Sequence, residues 1–309
     1  MHSSEVNGKA VFSGIYPAIV TPVDSTGQLM EDSVRQLVRR LATTPVDGLY
    51  VGGGTGEGIL LPVSVRKRLL EVVIDARRGL KRCSPLRVIA HVGAAEAANT
   101  AELVRHAAHV GVEAVSAIPP IYYTYGRERI CAYYGWLASL SEVPLIIYAA
   151  AQAGVSFTAE MLKECVTYPT IKGLKFTSSN FYEMMRMRAA VPEGFTILNG
   201  ADEQLAFGLL AGADGGIGTT YNVMPQTFCK LYQAWCRRDM DEVRRLQEMV
   251  NSVITVIIRY PVIAAVKVML DASGIPMGPP VFPNDEFPQE KRQEFLTSLA
   301  QAGWPESVS

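Results

Sequence analysis

Charge is scarce in this sequence and nearly balanced. Only 19% of the 309 residues are charged, the formal net charge is −1, and no basic block or acidic tail interrupts the chain. Holding nucleic acid or an anionic membrane needs a dense positive face, so neither is expected as a partner. Cysteine is sparse as well: Cys83, Cys131, Cys165, Cys229 and Cys236 are scattered, odd in number and never in Cys-x-x-Cys spacing. Such a set reads as reduced thiols of a cytoplasmic protein and offers zinc no ligand pattern. Long apolar runs are missing too. No stretch approaches the ~18 residues of a membrane span, and Met1 to Val11 lacks the apolar core of a signal peptide.

What the chain does have is a 49% apolar fraction, ample for a large core. Short apolar runs alternate with segments of helical period. The expected strands are Pro17 to Thr21, Gly48 to Val51, Leu86 to His91, Ala114 to Ile118, Pro144 to Tyr148, Ile171 to Phe176, Phe195 to Leu198 and Gly215 to Ile217. Helical patterns follow each, among them Ser33 to Leu41, Val63 to Arg78, Thr100 to His109 and Pro225 to Arg237. Nearly continuous apolar strands between helices indicate a parallel sheet buried on both faces. Eight such units, over about 12–237, suit a closed (β/α)8 TIM barrel of typical size ~250 residues. From about Asp239 to Ala302 the pattern reads as three helices, one of them Ile254 to Leu270, which Pro261 could kink or split. Length alone allows one domain or two. Without a linker-like shift in composition, a single domain over 1–309 with a helical C-terminal extension is expected.

Function is sought at the C-terminal ends of barrel strands. There the sequence places Thr55, Tyr148, Lys175, Asp202 and Thr219. Thr55 lies in Gly52-Gly53-Gly54-Thr55-Gly56-Glu57, a turn between an apolar strand and a helix that begins beyond Pro62. Glycines let a backbone approach a ligand, and free N–H groups near a helix start attract anions; a plain tight turn is the alternative. Lys175 sits inside an otherwise apolar strand. Burial disfavours the ammonium and leaves an amine suited to Schiff-base chemistry, unless a carboxylate pairs with it. Lys172, on the opposite strand face, is expected in solvent. Tyr148 ends its apolar run and is either a proton relay or a core tyrosine. His91 reads as structural, His106 and His109 as solvent-facing, and Lys267 as a paired structural lysine.

Taken in order, the glycine turn, the tyrosine at a strand end and the Gly173-Leu174-Lys175 strand resemble the pyruvate-dependent class I aldolases of the N-acetylneuraminate lyase and dihydrodipicolinate synthase family. The resemblance extends to Ala90-His91-Val92-Gly93, Pro120-Ile121-Tyr122-Tyr123 and Gly212-Ala213-Asp214-Gly215-Gly216-Ile217-Gly218. Asn199-Gly200-Ala201-Asp202-Glu203, Thr219-Thr220-Tyr221-Asn222 and Gly274-Ile275-Pro276-Met277-Gly278-Pro279-Pro280 are similar to the sialic acid lyase branch. The resemblance implies that Lys175 forms the imine, Tyr148 shuttles the proton and Tyr122 reaches a neighbouring subunit's site in a homotetramer. It implies that Thr55 and the Gly54 backbone hold the pyruvate carboxylate. Gly200, Asp202, Glu203, Thr177 and Thr219 would bind the sugar hydroxyls; the two carboxylates could instead complement a helix dipole. The implied reaction is reversible cleavage of N-acetylneuraminate to N-acetylmannosamine and pyruvate, with neither metal nor organic cofactor.

One segment departs from the family pattern. After the tyrosine the family carries Asn or His, a variable residue and then Pro, whereas here the chain runs Ala149-Ala150-Ala151-Gln152-Ala153-Gly154. Losing the proline is expected to loosen the loop that orients Tyr148. Losing the arginine with which dihydrodipicolinate synthases grip their aldehyde favours the lyase branch. An aldolase for another 2-keto-3-deoxy sugar acid, or a noncatalytic pyruvate- or sialic-acid-binding homologue, remains compatible with the sequence.

Overall fold

Alternating apolar strands and amphipathic helices build the architecture. The computed structural model describes residues 10–150 and 156–305. Strands β1 (Gly14–Pro17), β2 (Gly48–Val51), β3 (Arg87–His91), β4 (Ala114–Ala117), β5 (Leu145–Ala150), β6 (Ile171–Thr177), β7 (Thr196–Asn199) and β8 (Gly215–Gly218) form one sheet. Its ladders are parallel, with β1 paired to β8. Between β1 and β2 a bridge from Ala18 to Tyr50 replaces a ladder, and the Ile19 N–H donates to the Tyr50 carbonyl at 3.0 Å. That contact brings the sheet round into the (β/α)8 barrel.

Helices α1 (Glu31–Ala42), α2 (Val63–Arg77), α3 (Ala97–Val110), α4 (Arg127–Ala138), α5 (Ala159–Cys165), α6 (Phe181–Ala190), α7 (Leu205–Leu210) and α8 (Pro225–Cys236) follow the strands in turn. Strand residues alternate between two cores, as a two-residue period requires. Leu49, Val51, Ile147 and Leu174 pack outward into the strand–helix core, while Tyr50, Ile89, Ile146, Leu198 and Ile217 cluster separately inside the barrel with Tyr148.

Several boundaries differ from expectation for identifiable reasons. The first strand is Gly14–Pro17 rather than Pro17 to Thr21, because those residues form the ladder with Gly215–Gly218 and only Ala18 bridges onward. Tyr148 does not end its strand. Ala149 and Ala150 continue the ladder opposite Phe176 and Thr177, since neither is a proline that would remove a donor. The rest of the departure from the family pattern, Ala151 to Gly154, lies outside the described residues. The apolar stretch Ile254 to Leu270 is two helices: α9 (Met240–Ile257) ends before Pro261, α10 (Val262–Ala272) begins after it, and the two meet at 105°. Helix α11 (Arg292–Gln301) completes the extension. No single helix among the described residues is long and apolar enough to cross a membrane. His106 is not in solvent: its Nε2 lies 2.9 Å from Glu71 Oε1, because α2 and α3 pack side by side, whereas His109 is exposed.

Candidate active site

Alternation along β5 and β6 turns Tyr148 and Lys175 into the barrel, and register puts them opposite each other. Lys175 is 5% exposed. Its Nζ lies 4.0 Å from the centre of the Tyr148 ring and 4.7 Å from that of Tyr50. The rings are edge to face, with centroids 6.1 Å apart. Among the described residues no carboxylate lies within ion-pair distance of Lys175, in contrast to Lys267, whose Nζ is 2.8 Å from Glu57 Oε2. Lys172 is exposed although it shares a strand face with the buried Leu174, because it falls where the pairing with β5 skips from Ile171 to Gly173.

A cavity of about 570 Å³ opens above Lys175, and Gly54, Thr55, Tyr148, Thr177, Gly200 and Thr219 share its wall. Thr55, after β2, and Thr219, after β8, meet hydroxyl to hydroxyl at 2.6 Å. The Thr177 hydroxyl is buried with no partner among the described residues. Gly200 has to lack a side chain, because a Cβ there would stand 1.9 Å from that hydroxyl oxygen.

The glycine turn is held from below. Glu57, buried and left-handed at φ 55°, accepts from the Val281 N–H at 2.7 Å and from Asn284 Nδ2 at 2.8 Å while pairing with Lys267. Lys267 also donates to the Pro279 carbonyl at 2.8 Å. The C-terminal extension thus clamps the turn that carries Thr55. Burial pushes the Lys267 ammonium pKa down, and Glu57 opposes that shift.

His91 borders the same cavity. Its Nε2 accepts from the Ile118 N–H at 3.3 Å, which leaves Nδ1 to donate to the Gly52 carbonyl at 3.1 Å. Burial, with help from Arg66 and Lys175, holds its pKa well below the ordinary imidazole value. A neutral ring therefore ties the loops after β2 and β4 together.

Three expected residues stand apart from the cavity wall. Asp202 is buried, and its Oδ2 accepts from the Thr220 N–H at 2.6 Å and the Thr220 hydroxyl at 2.7 Å. Desolvation raises its pKa to about 6 against those bonds. Glu203 is exposed. Tyr122 is 91% exposed, at φ 79°, with its ring edge to face on Tyr123. Tyr50, Ile59, Ile118, Ile121, Val262 and Ile263 are components of the site and its surroundings that sequence reading missed. For Tyr50 a signal existed: the Gly48–Val51 alternation turns it inward like Tyr148. The aliphatic residues gave none.

A lysine buried between two tyrosine rings at the mouth of a parallel barrel invites comparison with known proteins. The dihydrodipicolinate synthetase family model matches residues 11–302. The chain belongs to that family. It is 36% identical over 297 residues to an N-acetylneuraminate lyase of Rhizobium meliloti, covering 96% of this chain and 97% of that protein. Among solved structures it is similar to CdNal from Clostridium difficile in complex with mannosamine, with TM-score 0.89, 29% identity and coverage of 94% and 99% of the two chains. It is similar also to a catalytic lysine mutant of the Ruminococcus gnavus sialic acid aldolase, at TM-score 0.88 and 30% identity over 94% and 96%. Homology makes this chain an enzyme with carbon–carbon lyase chemistry of the class I aldolase kind.

Proposed function

We propose that this family member cleaves N-acetylneuraminate reversibly to N-acetylmannosamine and pyruvate through an imine on Lys175. The observation that carries the reading is Lys175 itself, buried at the cavity floor over two tyrosine faces, with no ion pair among the described residues. Lys175 adds to the C2 ketone of the open-chain sugar acid, and loss of water gives the iminium. The faces of Tyr50 and Tyr148 stabilise that cation. Tyr148 relays the C4 hydroxyl proton, the C3–C4 bond breaks, and its electrons flow to the iminium nitrogen as an enamine. Protonation at C3 and hydrolysis release pyruvate and the free lysine.

Thr55 and the Gly54 backbone bind the keto acid's carboxylate beside Thr219, while Thr177 and Gly200 face the chain beyond. Tyr122, exposed on its loop, serves the site of a neighbouring copy in a homotetramer. A related 2-keto-3-deoxy sugar acid is the second reading, favoured by the engagement of Asp202 with Thr220 and by the absence of Glu203 from the cavity wall. Intact mass after incubation with N-acetylneuraminate and borohydride tests the first reading, with Lys175→Ala as control. A pyruvyl adduct confined to the unaltered enzyme supports it; its absence from a folded protein refutes it.

A further inference from the structure

Among the described residues the cavity wall carries polar groups around Lys175 and a set of aliphatic side chains, two of which, Ile59 and Val262, lie at its opening. Lys175, Tyr148, His91 and the hydroxyls of Thr55, Thr177 and Thr219 supply the polar groups. The remaining wall includes Ile59, Ile118 and Ile121 from loops after β2 and β4, and Val262 and Ile263 from the first turn of α10. Ile59 is 40% and Val262 36% exposed, against 5% for Lys175, so these two lie toward solvent, while Ile118, Ile121 and Ile263 are half-buried like the three threonines. Neither Asp202 nor Glu203 contributes to the wall.

A keto acid anchored on Lys175 by its C2 carbon has its carboxylate at Thr55 and Thr219 and its tail beyond C4 running past Thr177 toward Ile59 and Val262 at the opening. From these aliphatic groups in the wall we infer that the enzyme also joins pyruvate to aldehydes with apolar tails, and cleaves the resulting 4-hydroxy-2-keto acids. The inference rests on the Schiff-base reading of Lys175. Pyruvate condenses with the lysine, losing water, and its methyl group gives up a proton to form the enamine. The enamine carbon bonds to the aldehyde carbon while the C=O π pair becomes an alkoxide that takes up a proton. Water then hydrolyses the iminium and frees the lysine, so no oxidant or reductant enters. Burial of each added methylene against Ile59, Val262 and Ile263 favours the longer tail.

The test uses the full chain with pyruvate and the alkanals from propanal to hexanal, whose carbonyls are intrinsically alike. The kcat/KM should rise about fourfold per methylene. In Val262→Ser and Ile59→Ser, both at partly exposed positions, the rise should flatten relative to turnover of N-acetylmannosamine. A flat series in an enzyme that still forms the borohydride-trapped pyruvyl adduct would overturn this inference alone. No adduct at all would overturn both it and the Schiff-base reading.

Discussion

Lys175 Nζ lies over the face of Tyr148, 4.0 Å from the ring centre, on paired residues of adjacent strands. The contact is with the ring, so replacing the phenol by phenyl preserves it. Tyr148→Phe is expected to lower kcat by about 10²–10⁴-fold, the usual worth of a positioned proton relay, while borohydride still traps pyruvate on Lys175. Steady-state kinetics beside intact mass would show it; unaltered turnover would remove Tyr148 from the proton path.

Thr55 and Thr219 share a hydrogen bond at the cavity wall. If the Thr55 hydroxyl also holds the pyruvate carboxylate, Thr55→Val loses a hydrogen bond to a charged group, worth about 1.5–3 kcal/mol. The expected result is a rise of roughly tenfold or more in the KM for pyruvate in the condensation direction. A KM equal to wild type would assign the hydroxyl to structure alone.

Glu57 and Lys267 form an ion pair with both side chains buried. Removing one partner leaves a charge unpaired, so Lys267→Met should destabilise the fold by about 3–5 kcal/mol. Glu57→Gln combined with Lys267→Met keeps an acceptor for Val281 and Asn284 and should recover part of that loss. Urea denaturation of the two variants measures the difference; equal midpoints would count against the pair.

Asp202 has its carboxyl pKa raised from 3.8 to about 6 in the folded protein, chiefly by desolvation. A folded-state pKa above the unfolded one contributes stability fully present below the unfolded pKa and lost as pH rises through the folded value. The folded state binds the extra proton between pH 3.8 and about 6, and the difference corresponds to about 3 kcal/mol. Asp202→Asn, whose amide oxygen can still accept from Thr220, should flatten that part of the stability–pH profile. Denaturation midpoints across pH 4–7 give the answer, and an unchanged slope would locate the titration elsewhere.

Much of this architecture was legible in local sequence, and the reasons are local. The nearly continuous apolar runs Gly48 to Val51 and Ile171 to Phe176 mark strands buried on both faces, Pro62 suits a first helical turn, and Pro261, lacking an N–H, splits the apolar stretch around it. Lys175 stood out for the same reason: a charge on the inward phase of an apolar strand is conspicuous wherever the strand lies. The extension of β5 past Tyr148 was less legible, because pairing of Ala149 and Ala150 depends on Phe176 and Thr177 across the sheet.

The sequence by itself determined the eight-unit alternation, the inward lysine and the family. Tertiary structure alone decided that Tyr50 joins Tyr148 beside that lysine, that Asp202 spends its carboxylate on Thr220, and that Glu57 is clamped by Lys267, Val281 and Asn284. It also decided that α10 brings Val262 and Ile263 to the cavity. Periodicity and turn chemistry act within a few residues and can be read along the chain. Contacts between a glycine turn and a helix two-thirds of the chain away exist only once the barrel closes and the 105° bend between α9 and α10 brings the first turn of α10 to the cavity.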